Sequence, residues 1–331
     1  MHQQFDRFTI LITGGAGYIG SHTVLELKNG GYDCLVLDNL VYGHQNIVQE
    51  VLEVPLIIGD IGDKLLLNSI FESYNIAAVI HFAAYAYVGE SITNPQKYYY
   101  NNVVKTLNLI DAMVEADVKK IVFSSTCATY GIPTTIPIPE NHPQHPINPY
   151  GRSKYMVEQI LQDYDQAYGL KSIILRYFNA AGAHPHALLG ENHQPETHLI
   201  PLVLMTALGL CPHIAIYGQD YPTPDGTCIR DYIHVEDLAS AHHLSLEKLL
   251  ADNTSDIFNL GNGQGYSVQQ VIDAAQRVTG QSIPVELTPR RPGDPPVLVG
   301  SSEKARTVLG WNPQYIDLDT IISHAWSWHC S

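Results

Sequence analysis

The stretch ITGGAGYIGSH (residues 12–22) decides the predicted fold, because it carries three spaced glycines, Gly14, Gly17 and Gly20. A short apolar run precedes it, and a helical pattern begins within it. Glycine permits a tight turn and lets backbone N–H groups approach a pyrophosphate, which the positive end of a helix then stabilises. A strand, a glycine turn and a helix in this order predict that the chain binds a dinucleotide.

Beyond this turn, the first half of the chain alternates short apolar runs with longer helical patterns. Near-continuous apolar runs are typical of strands buried on both faces of a parallel sheet. The expected strands are 8–13, 33–38, 54–60, 77–83, 120–125 and 171–177, and the expected helices are 18–29, 63–74, 94–116 and 150–168. This alternation predicts an α/β fold, a Rossmann-type doubly wound parallel sheet.

After Arg176 the sequence becomes rich in Pro, Gly, His and Asn, which predicts a smaller, loop-rich α/β substrate domain. Some late segments, such as IFNLG, are expected to return to the main sheet. Further helices are expected at 199–209, 236–250, 267–279, 301–309 and 317–328. The predicted Rossmann domain is 7–178 plus roughly 231–262, and the predicted substrate domain is 179–230 plus 263–331.

Asp38 indicates which dinucleotide is bound. It ends the second apolar run, where a carboxylate accepts hydrogen bonds from ribose hydroxyls and repels a 2′-phosphate. The following segment, NLVYGHQN (39–46), has no Arg or Lys to bind such a phosphate. NAD is therefore favoured over NADP.

The third and fourth runs end on further candidate cofactor contacts. Asp60 and Ile61 are expected beside the adenine, and HFAA (81–84) ends the next run. Ligands of open α/β sheets bind outside the carboxyl ends of the strands. Packing is the alternative role for Phe82 and Ala83, and a helix N-cap for Asp60, and neither role excludes cofactor contact.

The composition excludes several kinds of partner. Thirty-three acidic against eighteen basic residues give a formal charge of −15, which argues against nucleic acid and anionic membranes. No apolar run reaches the roughly 20 residues of a membrane span, and the N-terminus does not resemble a secretory signal. The five scattered cysteines favour a reduced, cytoplasmic protein. The sixteen histidines are interpreted as surface residues, so no metal site is predicted.

The segment NPYGRSK (148–154) is the predicted reaction centre. Tyr150 and Lys154 stand four apart, so on a helix their side chains share a face. A phenolate near neutral pH needs about 4 kcal/mol of stabilisation, which a close ammonium and the positive nicotinamide can supply. Thr126, ending the strand before, is expected to hydrogen-bond the reacting oxygen. The spacing alone is weak in a chain with 20 tyrosines, and the alternative is a solvated pair, but its position favours catalysis.

Over nearly its full length the chain resembles the extended short-chain dehydrogenases/reductases, and within them the UDP-hexose 4-epimerases. The segments that carry the resemblance are TGGAGYIGSH, HFAAYAYVGES, FSSTCATYG, NPYGRSK, LRYFNAAGAHP, IYGQDYPTPDGTCIRDYIHVEDLA, NLGNGQGYSV and RRPGDPP.

The resemblance implies an isomerase with NAD as catalytic cofactor, converting UDP-galactose to UDP-glucose. Tyr150 takes the proton of the 4-hydroxyl, Thr126 relays or polarises it, and Lys154 also holds the nicotinamide ribose. Hydride passes to NAD⁺, and the resulting 4-keto sugar nucleotide turns over and receives hydride on its other face. The resemblance also implies a homodimer formed through the helices near 94–116 and 150–168.

The same resemblance carries over individual contacts. Cofactor contacts are expected at Gly14, Gly17, Tyr18, Ile19, Gly20, Asp38, Asn39, Asp60, Ile61, Phe82, Ala83, Ala84, Asn101, Tyr150, Lys154 and Tyr177. Substrate contacts are expected at Thr126, Tyr150, Asn179, His198, Leu199, Tyr217, Arg230, Arg291, Asp294 and Leu298. Arg230 and Arg291 are expected to clamp the diphosphate, to which guanidinium groups bind bidentately. The alternative role for Arg230 is a surface ion pair with Asp231.

Three departures from the family pattern leave the sugar open. Ala86 stands where Lys is common, so Tyr85 or Tyr87 is expected to compensate, and His198 stands where Asn is common. Leu298 is intermediate between the bulky Tyr of glucose/galactose-only members and the small residue that admits N-acetylated sugars. Epimerisation of UDP-N-acetylglucosamine or of UDP-xylose/arabinose therefore remains an alternative.

Other activities of the same fold are disfavoured by the residues present. A sugar-nucleotide dehydratase carries an Asp–Glu pair directly after the active-site Thr, and this chain has Cys127 and Ala128 there. A decarboxylase is disfavoured less strongly. A non-enzymatic NAD-binding sensor tends to lose the Tyr or the Lys, and both are present.

Overall fold

A computed structural model describes residues 8–291 and 294–331. Its strands are β1 (Thr9–Thr13), β2 (Asp33–Asp38), β3 (Leu56–Ile58), β4 (Ile76–His81), β5 (Lys120–Thr126), β6 (Lys171–Tyr177), β7 (Asn179–Ala181), β8 (Ile214–Tyr217), β9 (Ile229–Arg230), β10 (Tyr232–His234), β11 (Asp256–Leu260), β12 (Tyr266–Ser267), β13 (Val285–Thr288) and β14 (Val297–Leu298). Its α-helices are α1 (Tyr18–Asn29), α2 (Lys64–Ser73), α3 (Val88–Thr93), α4 (Pro95–Tyr99), α5 (Thr106–Glu115), α6 (Pro149–Tyr168), α7 (Leu199–Ala207), α8 (Val235–Asp252), α9 (Val268–Thr279) and α10 (Leu318–His329).

The predicted main sheet is confirmed. It has seven strands in the order β11-β6-β5-β4-β1-β2-β3. β1 pairs in parallel with β2 on one side and with β4 on the other, so strand addition changes direction at β1. Such a switch point leaves a crevice at the carboxyl ends of the two diverging strands, where α/β proteins bind their ligands. Here those ends are Thr13 and His81, which are register partners.

The prediction of one continuous α-helix over 94–116 is wrong. The structure has α4, then a π-helical segment at Tyr100–Lys105, then α5. A π turn changes which side chains face inward, and it buries the consecutive residues Asn101 and Asn102. A second helix predicted at 301–309 is likewise π-helical over Ala305–Leu309. Helix α3 was not predicted.

Contacts divide the described residues into two compact units. The first comprises the residues up to Tyr130, Gln144–Arg176 and Ala239–Phe258, and it contains most of the main sheet. Its core is built from strand residues such as Leu11, Leu35, Val79 and Phe123, and from apolar faces of α2, α5 and α6. IFNLG forms β11 at the edge of this sheet, as the sequence predicted.

The second unit comprises Gly131–Pro143, Tyr177–Leu238 and the described part of Asn259–Ser331. It carries three small sheets, β10-β7, β12-β9-β14 and β13-β8. Its core joins α7, α9 and α10 through residues such as Val203, Val271 and Ile321. Short strands joined by irregular segments match the predicted loop-rich character of this part of the chain.

A buried ion pair fastens α6 to the main sheet. Glu158 has no exposed surface and contacts the guanidinium of Arg176 on β6, with an Nη2–Oε2 distance of 2.6 Å. It also accepts hydrogen bonds from Ser125 on β5 and from Gln144. Tyr130 accepts a further bond from Arg176 at 3.0 Å. Removing one member of such a pair leaves the other charge buried without compensation.

We expect Glu158→Ala to destabilise the protein by about 3–5 kcal/mol, because Arg176 would remain buried and charged. Gln159→Ala, at the adjacent exposed position of α6, is the matched control and should change stability by no more than about 0.5 kcal/mol. Urea-induced unfolding of the two variants and the parent measures the difference. Equal unfolding midpoints for both variants would show that the pair does not hold α6.

Candidate active site

The glycine turn brings backbone segments unusually close together. A Cβ atom at Gly14, whose φ is +75°, would lie 2.6 Å from the amide nitrogen of Ala83, and one at Gly20 would lie 2.2 Å from the Gly14 carbonyl oxygen. Gly17 is the N-cap of α1. Only glycine fits at positions 14 and 20, so the N-terminus of α1 lies at the switch point. This arrangement fits a dinucleotide pyrophosphate.

Asp38 ends β2 and holds the glycine turn in place. Its two carboxylate oxygens accept hydrogen bonds from the backbone N–H of Ala16, at 3.0 Å, and of Leu40, at 2.8 Å. Burial raises the pKa of this carboxyl, and the two N–H donors oppose that shift. A carboxylate can accept about four hydrogen bonds, so capacity remains for the hydroxyls of a ribose.

Asp60 follows β3 as part of a charged network. It accepts hydrogen bonds from Asn39 at 3.0 Å and from Lys105 at 2.6 Å, the latter on the π-helical segment. Burial opposes its ionisation, but these donors and the N–H of Gly62 lower the pKa of the carboxyl. The N-cap of α2 is Asp63, so the alternative N-cap role for Asp60 is wrong.

A neutral histidine lies beneath the switch point. His81 is 1% exposed, and its two ring nitrogens contact Thr13 Oγ1 at 2.6 Å and Thr106 Oγ1 at 2.9 Å. Burial, together with Lys154, lowers the pKa of its imidazole to about 3. His81 therefore links the ends of β1 and β4 to α5 without a charge. The sequence analysis did not single it out, because a lone His carries no motif.

Asn101 and Asn102 connect the π-helical segment to the loop after β4. Asn102 accepts from the Tyr85 N–H and donates to the Tyr85 carbonyl, both at 2.9 Å, and donates to Ser153 Oγ at 3.1 Å. Asn101 donates to Asn102 at 3.1 Å. The predicted cofactor residue Asn101 is thus placed by a neighbour that the sequence analysis did not identify.

The end of β5 packs directly on the first turn of α6. A Cβ at Gly151 would lie 2.4 Å from the carbonyl oxygen of Ala128, so only glycine allows this approach. Thr126 Oγ1 accepts the Ala128 N–H at 3.1 Å, and a threonine hydroxyl can donate to another oxygen at the same time. Tyr150 stands next to this contact, in the first turn of α6. Tyr150 and the Thr126 turn thus flank the same contact within one unit, and the roles expected of these two residues stay a prediction.

Lys154 is a buried amine. It is 4% exposed, and its Nζ donates to the Ser124 carbonyl oxygen at 2.8 Å and lies 4.8 Å from the centre of the Phe123 ring. Burial lowers the pKa of Lys154 to about 7, and Glu158 acts in the opposite direction. The ammonium form is therefore favoured below that pH, and an anion bound nearby would raise the pKa and so extend the ammonium form to higher pH. Tyr150, Lys154 and Glu158 follow each other at intervals of four along one face of α6.

A second lysine, Lys97, contacts Tyr85, one of the two tyrosines that the sequence analysis expected to compensate for Ala86. Lys97 Nζ lies 4.0 Å from the centre of the Tyr85 ring, and it contacts Glu90 at 2.7 Å and Tyr42 OH at 3.4 Å. Tyr42 and Tyr87 also pack against each other, with ring centroids 5.3 Å apart. The tyrosines form an aromatic cluster around a cation supplied by α4.

In the second unit, Arg230 and Asp294 form the ion pair that organises the predicted substrate residues. Arg230 Nη2 lies 2.7 Å from Asp294 Oδ1, and its Nη1 donates to the Pro295 carbonyl at 2.9 Å. The alternative pair with Asp231 is wrong. Asp231 is fully buried and accepts backbone N–H groups of Asn262, Gly263 and Gly300, because its side chain points into the unit.

Tyr217, Arg291 and Leu298 lie close to this pair. The guanidinium of Arg291 lies 3.8 Å above the ring of Tyr217, and the Asp294 N–H donates to the Arg291 carbonyl at 3.4 Å. Leu298 on β14 is the register partner of Arg230 on β9. Tyr217 is 38% exposed, which leaves an aromatic surface accessible. These five residues therefore form one group, although the sequence separates the first from the last by 81 positions.

The remaining predicted residues are placed elsewhere. Asn179 begins β7 and donates from Nδ2 to the Asp231 carbonyl at 3.1 Å. His198 is the N-cap of α7, directly before Leu199, and its ring contacts Glu191 rather than the arginine group. Tyr18 and Ile61 are buried, and Ile61 packs in the core of the first unit. Phe82 packs on His242, with ring centroids 4.7 Å apart.

The helices in the described part of the chain include none long and apolar enough to cross a membrane. All five cysteines are free thiols.

Residues 10–261 match the family model described as the NAD dependent epimerase/dehydratase family. The chain is 55% identical over 320 residues to the UDP-glucose 4-epimerase of Halalkalibacterium halodurans, covering 97% of this chain and 95% of that protein. It is also similar to two solved structures. One is the UDP-glucose 4-epimerase of Brucella ovis in complex with NAD, at 50% identity and a TM-score of 0.93, covering 96% of this chain and 97% of that one. The other is the UDP-Glc/GlcNAc 4-epimerase of Campylobacter jejuni, at 44% identity and a TM-score of 0.86, covering 98% and 99%.

These relatives extend over almost the whole of the chain and of their own lengths, so the resemblance read from the sequence is confirmed. The chain belongs to the NAD dependent epimerase/dehydratase family.

Proposed function

We propose that this protein interconverts UDP-galactose and UDP-glucose by NAD-dependent epimerisation at C4 of the hexose. The observation that carries the proposal is the contact at Gly151, which sets Tyr150 against the Thr126 turn while Lys154 is buried one helical turn further on. Relatives at 50–55% identity that are named UDP-glucose 4-epimerase support the substrate class.

The glycine turn, Asp38 and the backbone of Ala83 are the residues that would hold NAD. When bound, NAD supplies a reversible acceptor for the hydride at C4 of the sugar. The carboxylate of Asp38 would accept hydrogen bonds from the ribose hydroxyls, and it is incompatible with a 2′-phosphate. Tyr42, one of the tyrosines around Lys97, lies in the loop that follows Asp38.

Tyr150 is the general base, and on the return step the general acid, for the proton of the 4-hydroxyl. The ammonium of Lys154 favours the phenolate because the two groups share one face of α6 in a site from which water is largely excluded. Thr126 accepts from the turn and donates to the sugar oxygen, so it orients the hydroxyl toward Tyr150.

Arg230 and Arg291 bind the diphosphate of the substrate, and Tyr217 stacks on the uracil. Asp294 orients Arg230 by a direct ion pair, which leaves a planar guanidinium positioned for phosphate oxygens. In a chain of net charge −15, local arginines of this kind are what an anionic ligand requires. Asn179, His198 and Leu199 complete the substrate set in this proposal.

Turnover of the keto sugar requires that its hexose be held less tightly than its UDP moiety. Polar anchors in the second unit bind the UDP, and Leu298 on β14 offers the hexose an apolar contact rather than a further polar anchor. A dehydratase or decarboxylase is disfavoured, because Cys127 and Ala128 supply no acid–base pair after Thr126.

We also propose a cytoplasmic homodimer. Exposed apolar side chains cluster on α3, the π-helical segment and α6 of the first unit, at Ile92, Tyr100, Val104 and Met156. Their exposed fractions reach 60% at Ile92 and Tyr100, which is costly unless the face is covered. A second copy of the chain is the proposed cover.

Tyr150→Phe is expected to lower the rate of UDP-galactose conversion by about 10²- to 10⁴-fold, because the ring remains and only the proton-transferring hydroxyl is lost. Tyr155→Phe, on the same helix, is the matched control and should retain activity. Conversion is followed by coupled detection of UDP-glucose, with bound NAD measured in each variant. Near wild-type turnover of Tyr150→Phe with normal NAD content would disprove the assignment of the base.

The cofactor assignment is tested on the protein as purified. Denaturation followed by mass analysis of the released nucleotide is expected to yield NAD or its reduced form, because Asp38 repels a 2′-phosphate. Release of NADP in its place would contradict the role given to Asp38.

Sugar selectivity is expected to depend on Leu298. We expect Leu298→Tyr to lower kcat/KM for UDP-N-acetylgalactosamine relative to UDP-galactose by at least about tenfold, because the larger ring takes the space of the acetamido group. The panel is completed with UDP-xylose, and Val297→Ile on the same strand is the control. An unchanged ratio between the two substrates would place the determinant elsewhere.

A further inference from the structure

The second unit contains a cluster of two histidines and two glutamates, of which His198 alone has a role in the proposed reaction, as a substrate contact. It consists of Glu191, His193, Glu196 and His198, in the segment that leads into α7. One ligand atom from each of the four side chains lies within 4.8 Å of those of the other three. We call this group the Glu/His cluster.

The atoms that converge are oxygen and nitrogen donors. His193 Nδ1 lies 3.0 Å from Glu191 Oε1 and 3.9 Å from Glu196 Oε2. His198 Nδ1 contacts the same Glu191 oxygen and lies 3.8 Å from Glu196 Oε1. A tetrahedral ion with bonds of about 2.0–2.1 Å to such donors would space them by about 3.3 Å. The separations between these donor atoms bracket that value, so small side-chain adjustments suffice.

The two carboxylates are shielded from water. The side chain of Glu191 is 4% exposed and that of Glu196 is 7% exposed. Two negative charges held so close in a buried site repel each other and lose their hydration, and a cation between them removes both costs. Exposed acidic groups need no such partner, so the burial is what separates this cluster from ordinary surface carboxylates.

Further contacts fix the donors in place. Glu196 Oε1 accepts the N–H groups of Thr197 at 2.6 Å and His198 at 2.8 Å, which directs Oε2 toward His193. The Glu191 carbonyl accepts from Trp328 Nε1 on α10 at 3.0 Å. Orienting bonds of this kind around the ligands are a regular feature of metal sites.

We propose that Glu191, His193, Glu196 and His198 bind a divalent transition-metal ion, with Zn²⁺ the best match. Imidazole nitrogens with carboxylates in tetrahedral array suit Zn²⁺, whereas Ca²⁺ and Mg²⁺ take oxygen ligands at higher coordination number. Four protein ligands leave no position for water or substrate, so the ion is structural. By linking four side chains, the ion makes the segment 191–198, which leads into α7, rigid.

The sequence analysis predicted no metal here because it interpreted the sixteen histidines as surface residues. It did not consider the pattern Glu-x-His-x-x-Glu-x-His (191–198). Folding brings the four side chains together because the segment curls before α7 while α10 holds the backbone of Glu191.

The test uses the full-length protein purified without chelators, and Zn²⁺ as the probe. We expect about one equivalent of zinc per chain by elemental analysis, or stoichiometric uptake when Zn²⁺ is added after dialysis against EDTA. Addition should raise Tm by at least about 3 °C, because an ion that binds only the folded state stabilises it. Substitution with Co²⁺ should give the visible absorption of a tetrahedral site.

Two variants locate the site. His193→Ala removes a ligand, and Glu196→Gln keeps an oxygen acceptor for the Thr197 and His198 N–H groups while removing the charge. Each should weaken zinc affinity by at least about tenfold and abolish the Tm increase. His213→Ala is the matched control, because His213 forms a single exposed pair with Glu286 at 2.5 Å and should leave zinc binding unchanged.

Three outcomes overturn the proposal. They are a parent protein that takes up no zinc, variants that bind it as tightly as the parent, and loss of binding in His213→Ala alone. A cluster neutralised by two imidazolium ions would give the first of these. If His193→Ala does not fold, Glu196→Gln decides. Metal content and Tm do not depend on turnover, so failure here leaves the proposed epimerase activity untouched, and the reverse also holds.

Discussion

The contact between Gly151 and the carbonyl of Ala128 is the constraint on which the candidate active site depends. A Cβ atom at residue 151 would lie 2.4 Å from that carbonyl oxygen, so only glycine lets the first turn of α6 pack this closely against the end of β5. Everything further along the helix follows from that approach. Lys154 reaches the Ser124 carbonyl and Glu158 reaches Ser125, so one face of α6 carries both the proposed catalytic residues and the carboxylate that anchors the helix.

The electrostatics of that face are arranged in opposite ways at its two ends. Glu158 is fully compensated by Arg176 and by neutral donors, so its charge is stable in the interior. Lys154 contacts the neutral Ser124 carbonyl and the Phe123 ring, and burial lowers its pKa to about 7. Such a lysine responds strongly to an anion placed beside it, which is what a reaction that passes through a phenolate requires.

The two units have different roles in the proposed function. The first holds rigid strand ends, a glycine turn and the proton-transferring residues. The second holds Arg230 on the short strand β9, where Asp294 fixes it, and Arg291 outside the strands, where it packs on Tyr217. The Glu/His cluster gives the second unit a further source of rigidity, since small sheets and long loops bury less apolar surface than a seven-stranded sheet.

Local pattern was enough to predict much of this protein. The helix beginning at Tyr18 and the strand ending at Asp38 were predicted to the residue, because glycine spacing, apolar runs and charged ends are visible within short windows. The proposed catalytic pair and the arginines of the candidate site were predictable as residue types in known motifs. The π turn at 100–105 was not, since it depends on burying Asn101 and Asn102 together against their neighbours.

The sequence by itself determined the fold class, the family and the candidate reacting residues, because these depend on spacing along one chain. Only the tertiary structure decided that Arg230 pairs with Asp294 rather than with its neighbour Asp231. It likewise decided that Lys97 contacts the ring of Tyr85, the residue before Ala86. It also decided that two glutamates and two histidines converge before α7. The physical reason is the same in each case. Burial and the close approach of distant segments decide which charged groups pair, and neither can be predicted from local sequence.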